Sequence, residues 1–488
     1  MLQIVKSELS PSAGLGLLAY AMLAGALTSF GYAPLVVLVA IPAIVIVAVA
    51  ILGKKPHRTE VLAFWIFSLY LVFSILWPRY VALWIPGMPS LNPPRLLNAC
   101  AVLLLAILAL QLKDLRSEIL NSISRHGILW VSLVLYAAFR FFSICTSKDL
   151  TFSVYQLANE FFVHIVCVFM GVYIGSRPAW LRRITAAIPV LVGIAAVIAI
   201  VEWRVGHNLF SRFVDPTNEY VRWALSDKTR GGAYRAQGTF GFPITLAEFM
   251  IVGCALSYNS YLGYAAPIRG ALLKYAVVVL LASLALVASG SRSGYAAFAL
   301  VMTLVLSAPL LLSIARGRIS LALAAFWSMF ACVFLTILYF AFLAVVDQAF
   351  GANSDQASNA LRESMLRRSI ALFWGSPILG YGPGRAPEVI GVHTSSGQYT
   401  VDSFILTVLV ESGGGALAAF LLTLCSACAI SAKKAVSGDD NSSPYWWSLT
   451  VSIVGFLVFL PILSLLDNHY LLYFLIGLIV SEGRHVKE

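Results

Sequence analysis

Apolar runs about as long as a bilayer is thick recur along the whole of this chain, and no other feature limits its fold as strongly. A helix needs roughly 20 such residues to cross the hydrocarbon layer. On that rule spans are expected near 13–31, 33–52, 61–78, 95–112, 127–145, 161–176, 184–203, 244–262, 274–290, 294–314, 319–346, 401–430, 445–466 and 469–483. The expectation is an all-α polytopic membrane protein of about fourteen transmembrane helices, one integral-membrane domain over 1–488. Composition agrees. Charged residues make up 11% of the chain, against about 25% in soluble proteins, and mean hydropathy is +0.87. The first run, Ala13 to Phe30, is followed at once by another and reads as a span, not a cleaved signal.

The short connections carry an orientation signal. Lys54, Lys55 and Arg58 follow the second span, and Lys113, Arg116 and Arg125 the fourth. Arg177, Arg182 and Arg183 follow the sixth, Arg269 and Lys274 flank the turn after the eighth, and Arg316 and Arg318 follow the tenth. Lys433 and Lys434 follow the twelfth, and Arg484 and Lys487 end the chain. Every even-numbered connection is basic, so these ends, and both termini, are expected in the cytoplasm.

Two long loops then fall on the external face, 204–243 and 347–400. The second is too long to be a passive link and too polar to lie in lipid. It opens with helical spacing near 359–373, read as an interfacial helix with Leu361, Met365, Ile370, Leu372 and Phe373 on the bilayer. Both loops carry arginines that the charge rule does not account for, which points to an anionic partner outside. The net charge of +11 is scattered between spans instead of gathered on a soluble domain, so nucleic acid is not expected. No repeat or low-complexity tract occurs, and with no P-loop and no cytoplasmic segment long enough for a nucleotide domain, ATP-driven transport is not expected. The seven cysteines lie in or beside apolar runs and read as packing; Cys425 and Cys428 have no second ligand pair, so no metal site is expected.

Four short stretches carry the candidate chemistry. In RAQGTFGFP, Arg235 precedes Pro243, which suits the first turn of the following span, and Glu248 lies one turn inside. A carboxylate there needs a partner in the bundle. In GSRSG, Arg292 sits at a tight turn beside a helix N-terminus that Ser293 can cap, an arrangement favourable when an anion binds between them. Arg362 and the glycines of SPILGYGPG come next, followed by Arg385, and these glycines let backbone approach a ligand closely. Last comes DSFILTVLVESG, where Asp402 is either a helix N-cap or a reactive group. Ser403, Thr407, Glu411 and Gly415 follow it on one helix face, with Glu411 buried. His393 and His469, on the outer side, are further candidates, either merely structural or able to titrate against substrate.

Together and in this order the four stretches resemble the O-antigen polymerase and O-antigen ligase superfamily of bacterial polysaccharide assembly. The resemblance covers roughly the second half of the chain. It implies a lipid-linked-donor, GT-C-like membrane glycosyltransferase with its active face on the periplasmic side of the bacterial inner membrane. It implies Arg235, Arg292 and Arg362 as ligands of the diphosphate, and Arg230, eleven positions before Gly241, matches a spacing seen in some polymerases. The stretch beginning at Asp402 often begins with histidine in the family, and in ligases that histidine is regarded as catalytic. Its replacement by Asp402, with Gly413 kept eleven positions later, leans towards a polymerase. The resemblance further implies undecaprenyl-diphosphate-linked oligosaccharide, growing polysaccharide and membrane lipid as partners, with flippase, chain-length or export proteins alongside.

The chemistry fits on its own terms. Breaking a glycosyl–diphosphate bond develops negative charge on the leaving oxygen, which fixed arginines and helix N-termini stabilise in a water-poor cleft. Asp402 or Glu411 can take the proton of the attacking hydroxyl. An inverting displacement that needs no metal or other cofactor is the expectation. Substrate binding by Arg230, Glu248, His393, Arg385 and His469 is the weaker part of it. The alternatives are a ligase moving finished glycan onto lipid A core or protein, and a transporter of lipid-linked sugar.

Overall fold

A computed structural model describes residues 56–83, 90–214, 219–226, 228–230, 233–262, 268–317, 355–393, 399–439 and 442–481, with isolated positions at 322, 325 and 329. Expected spans 13–31 and 33–52, nearly all of 319–346, and both termini lie outside the described residues. The described chain falls into two compact units that divide at Gln111 and Leu112. The first holds α1 (Pro56–Leu76) and α2 (Pro93–Gln111), which pack on each other.

The second unit holds the rest: α3 (Lys113–Arg125), α4 (Gly127–Phe142), α5 (Leu150–Glu160), α6 (Cys167–Gly175), α7 (Pro178–Val205), α8 (Glu219–Leu225), α9 (Pro243–Leu262), α10 (Ile268–Ser289), α11 (Arg292–Leu306), α12 (Ala308–Ala315), α13 (Asp355–Gly375), α14 (Ala386–Ile390), α15 (Phe404–Ser437), α16 (Ser443–Phe459) and α17 (His469–Val480). One two-residue hairpin pairs Thr229–Arg230 with Ala233–Tyr234.

Seven helices among the described residues are long and apolar enough to cross a membrane, or eight if the bent pair α11 and α12 counts as one. The protein is thus an all-α, multi-pass membrane protein. These seven coincide with the spans expected at 61–78, 95–112, 127–145, 161–176, 184–203, 274–290 and 401–430. The span expected at 294–314 is the bent pair, turned by 55° between Ser307 and Pro309, where proline cannot donate to the preceding turn.

Three further expected spans are helical over all or part of their length. The 244–262 stretch is α9, whose side chains are buried on every face from Thr245 to Asn259. It packs against α7, α10, α11 and α16, and because protein surrounds it, it carries Glu248 and Asn259 without facing lipid. The 445–466 stretch is helical only to Phe459, and residues beyond Pro461 run irregularly to Asn468. The last, α17, has 12 residues, about 18 Å of helix against a hydrocarbon layer of about 30 Å. It is buried throughout and packs on α6. A Cβ on either Gly171 or Gly477 would stand 2.8 Å from the Cα of the other, so these helices touch backbone to backbone.

Two expected connections are helical. Lys113–Arg125 forms α3, and 150–160 forms α5, which passes through a π-helical turn at Phe161–Ile165 into α6. Asp149 caps α5 by accepting from Phe152 N. A carboxylate at Glu160 suggests a loop in sequence, but Glu160 is buried and paired, so the helix runs on past it.

Cations close two helix C-termini. Arg316 donates to the Ala435, Val436 and Gly438 carbonyls at the end of α15. Lys434 donates to the carbonyls of Ile479, in the last turn of α17, and of Ser481 just beyond it. Both arrangements satisfy orphan carbonyls and complement the helix dipole.

Candidate active site

The longest helix among the described residues, α15, is broken where its sequence reads Ser-Gly-Gly-Gly. Gly413 has φ 78° and ψ 179°, a backbone state open essentially to glycine alone. A break in a membrane helix leaves carbonyls without their usual donors, and these must be satisfied by protein. The glycine loop that follows α13 does this. Tyr381 N donates to Val410 O at 3.0 Å and Gly382 N to Glu411 O at 2.9 Å, while Gly414 N donates to Pro377 O at 2.9 Å. A Cβ on Gly380 would stand 2.5 Å from the Glu411 carbonyl oxygen. The glycines expected to approach a ligand therefore approach α15 itself.

Beneath the break lies a charge cluster. Arg140 of α4 donates to Glu160 Oε2 through Nε at 2.9 Å and Nη2 at 2.6 Å, and to Glu411 Oε2 through Nη1 at 2.7 Å. Tyr136 donates to the other oxygen of Glu160. Ser412 Oγ lies 3.1 Å from Arg140, and Glu411 Oε1 accepts from Ala386 N at 3.3 Å. All three charged side chains are 5% exposed or less. In sequence Glu411 alone stood out. Arg140, in the middle of an expected span, carries the same signal of an intramembrane charge that needs a partner.

Nearer the start of the same helix, the first turns of α15 and the side of α13 line a half-open cavity of about 290 Å³. Arg362 and Asp402 line it together, with Ser403, Met365, Leu366, Ile405, Leu406 and Pro461. Arg362 Nε is buried with no hydrogen-bond partner among the described residues. Asp402 is not the helix cap. Ser403 caps α15, accepting from Leu406 N at 3.3 Å, and among the described residues Asp402 accepts from Thr400 Oγ1 alone, at 3.1 Å. The irregular chain after α16 completes the helix start, since the Leu460 and Leu463 carbonyls accept from Phe404 N. Met365 is buried among Leu361, Leu372, Val401 and Val410, so these α13 side chains face protein and not the bilayer; Leu366, Ile370 and Trp374 are the exposed ones.

The other two arginines meet at the turn between α10 and α11. Arg235 Nε donates to Ser289 O at 2.9 Å, and its stem crosses Gly290, where a Cβ would lie 3.2 Å from Arg235 Cγ. Arg292 is the first residue of α11, and its cap is Ser291, which accepts from Gly294 N, instead of Ser293. Lys228 joins this group. Burial and then the charge of Arg235 push its ammonium down to about 8, and it lies 4.4 Å over the Phe242 ring. The two arginine sites are tied through 460–468: Leu460 receives Phe404 N at one end, and Asp467 accepts from Gly241 N at the other.

Arg385, His393, Glu248 and His469 line no part of the cavity. Arg385 pairs with Glu388 at 2.7 Å. His393 is exposed and stacks on Tyr399 with ring centres 4.3 Å apart. Glu248 is buried and accepts from Asn468 at 2.8 Å. His469 is buried with its ring 4.6 Å from Phe404. Arg230 pairs with Ala233 in the hairpin register.

Residues 277–421 match the family described as O-antigen ligase. That stretch contains the Arg292 turn, Arg362, the glycine loop and Asp402 with the broken start of α15. The match supports the resemblance of this part of the chain to the O-antigen ligase and polymerase superfamily. Three of the four sequence stretches that carried the resemblance lie within the match, and Arg235 lies before it. No curated protein gives a match to the chain.

Proposed function

We propose that the protein is a membrane glycosyltransferase that polymerises undecaprenyl-diphosphate-linked oligosaccharide repeat units, working at the periplasmic face of the bacterial inner membrane. The observation that carries this reading is that Arg362 and Asp402 line one cavity whose other walls are mostly apolar. An arginine with a buried, unpartnered N–H suits a diphosphate oxygen. A carboxylate spared from capping suits a proton acceptor. Apolar walls raise the strength of both by excluding water.

In this reading the hydroxyl oxygen of the acceptor sugar attacks the anomeric carbon of the donor from the face opposite the diphosphate. The new glycosidic C–O bond forms as the bond to diphosphate breaks, and its electron pair leaves on the diphosphate, with inversion. Asp402 takes the hydroxyl proton. Arg362, with Arg235 and Arg292 across the 460–468 segment, stabilises the leaving charge, so no metal is required. Glu411, the other carboxylate considered as a base, is held by Arg140 and is assigned a supporting part.

The matching family bears a ligase description, and a ligase is the second reading. Asp402, where ligases carry histidine, favours the polymerase. Purified full-length protein supplied with lipid-linked oligosaccharide in vesicles tests it. A ladder of repeat-unit multiples is expected. A single conjugate formed only when lipid A core or protein acceptor is added would indicate a ligase, and passage of the lipid across the vesicle with no new bond a transporter.

A further inference from the structure

Taking the Arg362–Asp402 cavity as the place of glycosyl transfer, as proposed above, we infer that Arg140 is a positioning residue for that reaction. The two walls of the cavity have one common anchor. From Arg362, α13 runs down to Gly375 and continues directly into the glycine loop. From Asp402, the first segment of α15 runs down to its break at Gly413. Both therefore end in the same clasp, where loop and broken helix exchange the three backbone hydrogen bonds at Tyr381, Gly382 and Gly414.

Arg140 closes that clasp from below. Its guanidinium joins Glu160, at the foot of α5, to Glu411, the residue whose carbonyl receives Gly382 N. The Glu411 carboxylate in turn receives Ala386 N, at the start of α14. α5 holds the loop from its other side as well, through Ser153 Oγ, which donates to Pro383 O at 2.8 Å. Arg140 touches no part of the cavity, so any influence on transfer passes through the clasp. A cluster of one cation and two carboxylates in an apolar interior adds little net stability over a well-packed neutral set, because desolvation offsets attraction. What it adds is a fixed geometry, since a forked guanidinium admits only one arrangement of its two acceptors. A misplacement of reacting groups by about 1 Å costs on the order of 100-fold in rate.

The test uses full-length protein in nanodiscs with lipid-linked oligosaccharide. Two variants are compared: Arg140→Lys, which keeps the charge but not the fork, and Arg140→Met/Glu160→Gln/Glu411→Gln, which leaves no charge unpaired. For each, kcat, KM and amide exchange across 377–384 are measured. We expect kcat to fall at least 10-fold with KM within 2-fold, and the Tyr381 and Gly382 amides to exchange faster while α9 and α17 do not. A variant whose clasp amides loosen while kcat stays at wild type overturns the inference. So does a parallel loss in kcat and in KM with exchange accelerated throughout, the mark of a purely structural role. Arg362→Ala and Asp402→Asn are run alongside. If both retain wild-type transfer, the cavity reading itself fails; if they lose it while both Arg140 variants keep full kcat, only the positioning role fails.

Discussion

Gly413 of α15 and Pro377 of the loop after α13 stand so close that a Cβ on the glycine would lie 2.6 Å from the proline carbonyl oxygen. This approach lets a loop fill the break in a membrane helix, and it joins the two walls of the cavity. Gly413→Ala meets both the clash and the strained backbone at φ 78°. A cost of ~1–3 kcal/mol follows from the strain alone. Thermal unfolding in detergent should show a lower midpoint than wild type, with transfer activity reduced in the fraction that remains folded. An unchanged midpoint would mean that the break is tolerant of ordinary helix.

Binding of the diphosphate should weaken as pH rises through about 8. The sign follows from Lys228, which sits beside Arg235 with its ammonium pushed down to about 8. Below that pH it is charged and adds to the arginines; above it the charge is lost. One partly screened charge is worth ~1 kcal/mol, about 5-fold in affinity. Titration with inorganic pyrophosphate between pH 7 and 9 should show this decline, and Lys228→Met should flatten it.

The contact between α6 and α17 predicts a stability effect far from the chemistry. Gly477→Ala places a methyl group against the Gly171 backbone, and overpacking of this kind costs ~1–3 kcal/mol. Chemical unfolding in mixed micelles measures it, and the equally small Gly455→Ala, which meets only side-chain carbons at 3.5 Å or beyond, should cost less.

The helices were legible in sequence because apolar length is a direct physical requirement of the bilayer. Seven expected spans recur as long apolar helices, and Pro243 starts α9 as its fixed φ suggests. Legibility failed where protein replaces lipid as the environment. Glu160 looked like a loop residue because its partner, Arg140, lies 20 positions away. The last helix looked like a span, yet its 12 residues are sheathed by protein. At the site, sequence gathered Arg362, the glycine loop and Asp402 in the right region but misjudged what the glycines approach. Asp402 was ambiguous for a clear reason: Asp and Ser both cap helices, and only the fold shows that Ser403 does so here, leaving Asp402 to the cavity.

Single-turnover transfer by Asp402→Asn, with donor affinity measured in the same preparation, tests together whether Asp402 takes the proton and Arg362 holds the diphosphate. The substitution keeps size and the hydrogen bond from Thr400 but removes the base. Transfer should slow by roughly 100-fold or more, within the range expected of a positioned base, while the Kd for the lipid-linked donor stays within about 3-fold. Wild-type transfer by Asp402→Asn, with polymer ladder intact, would contradict the account.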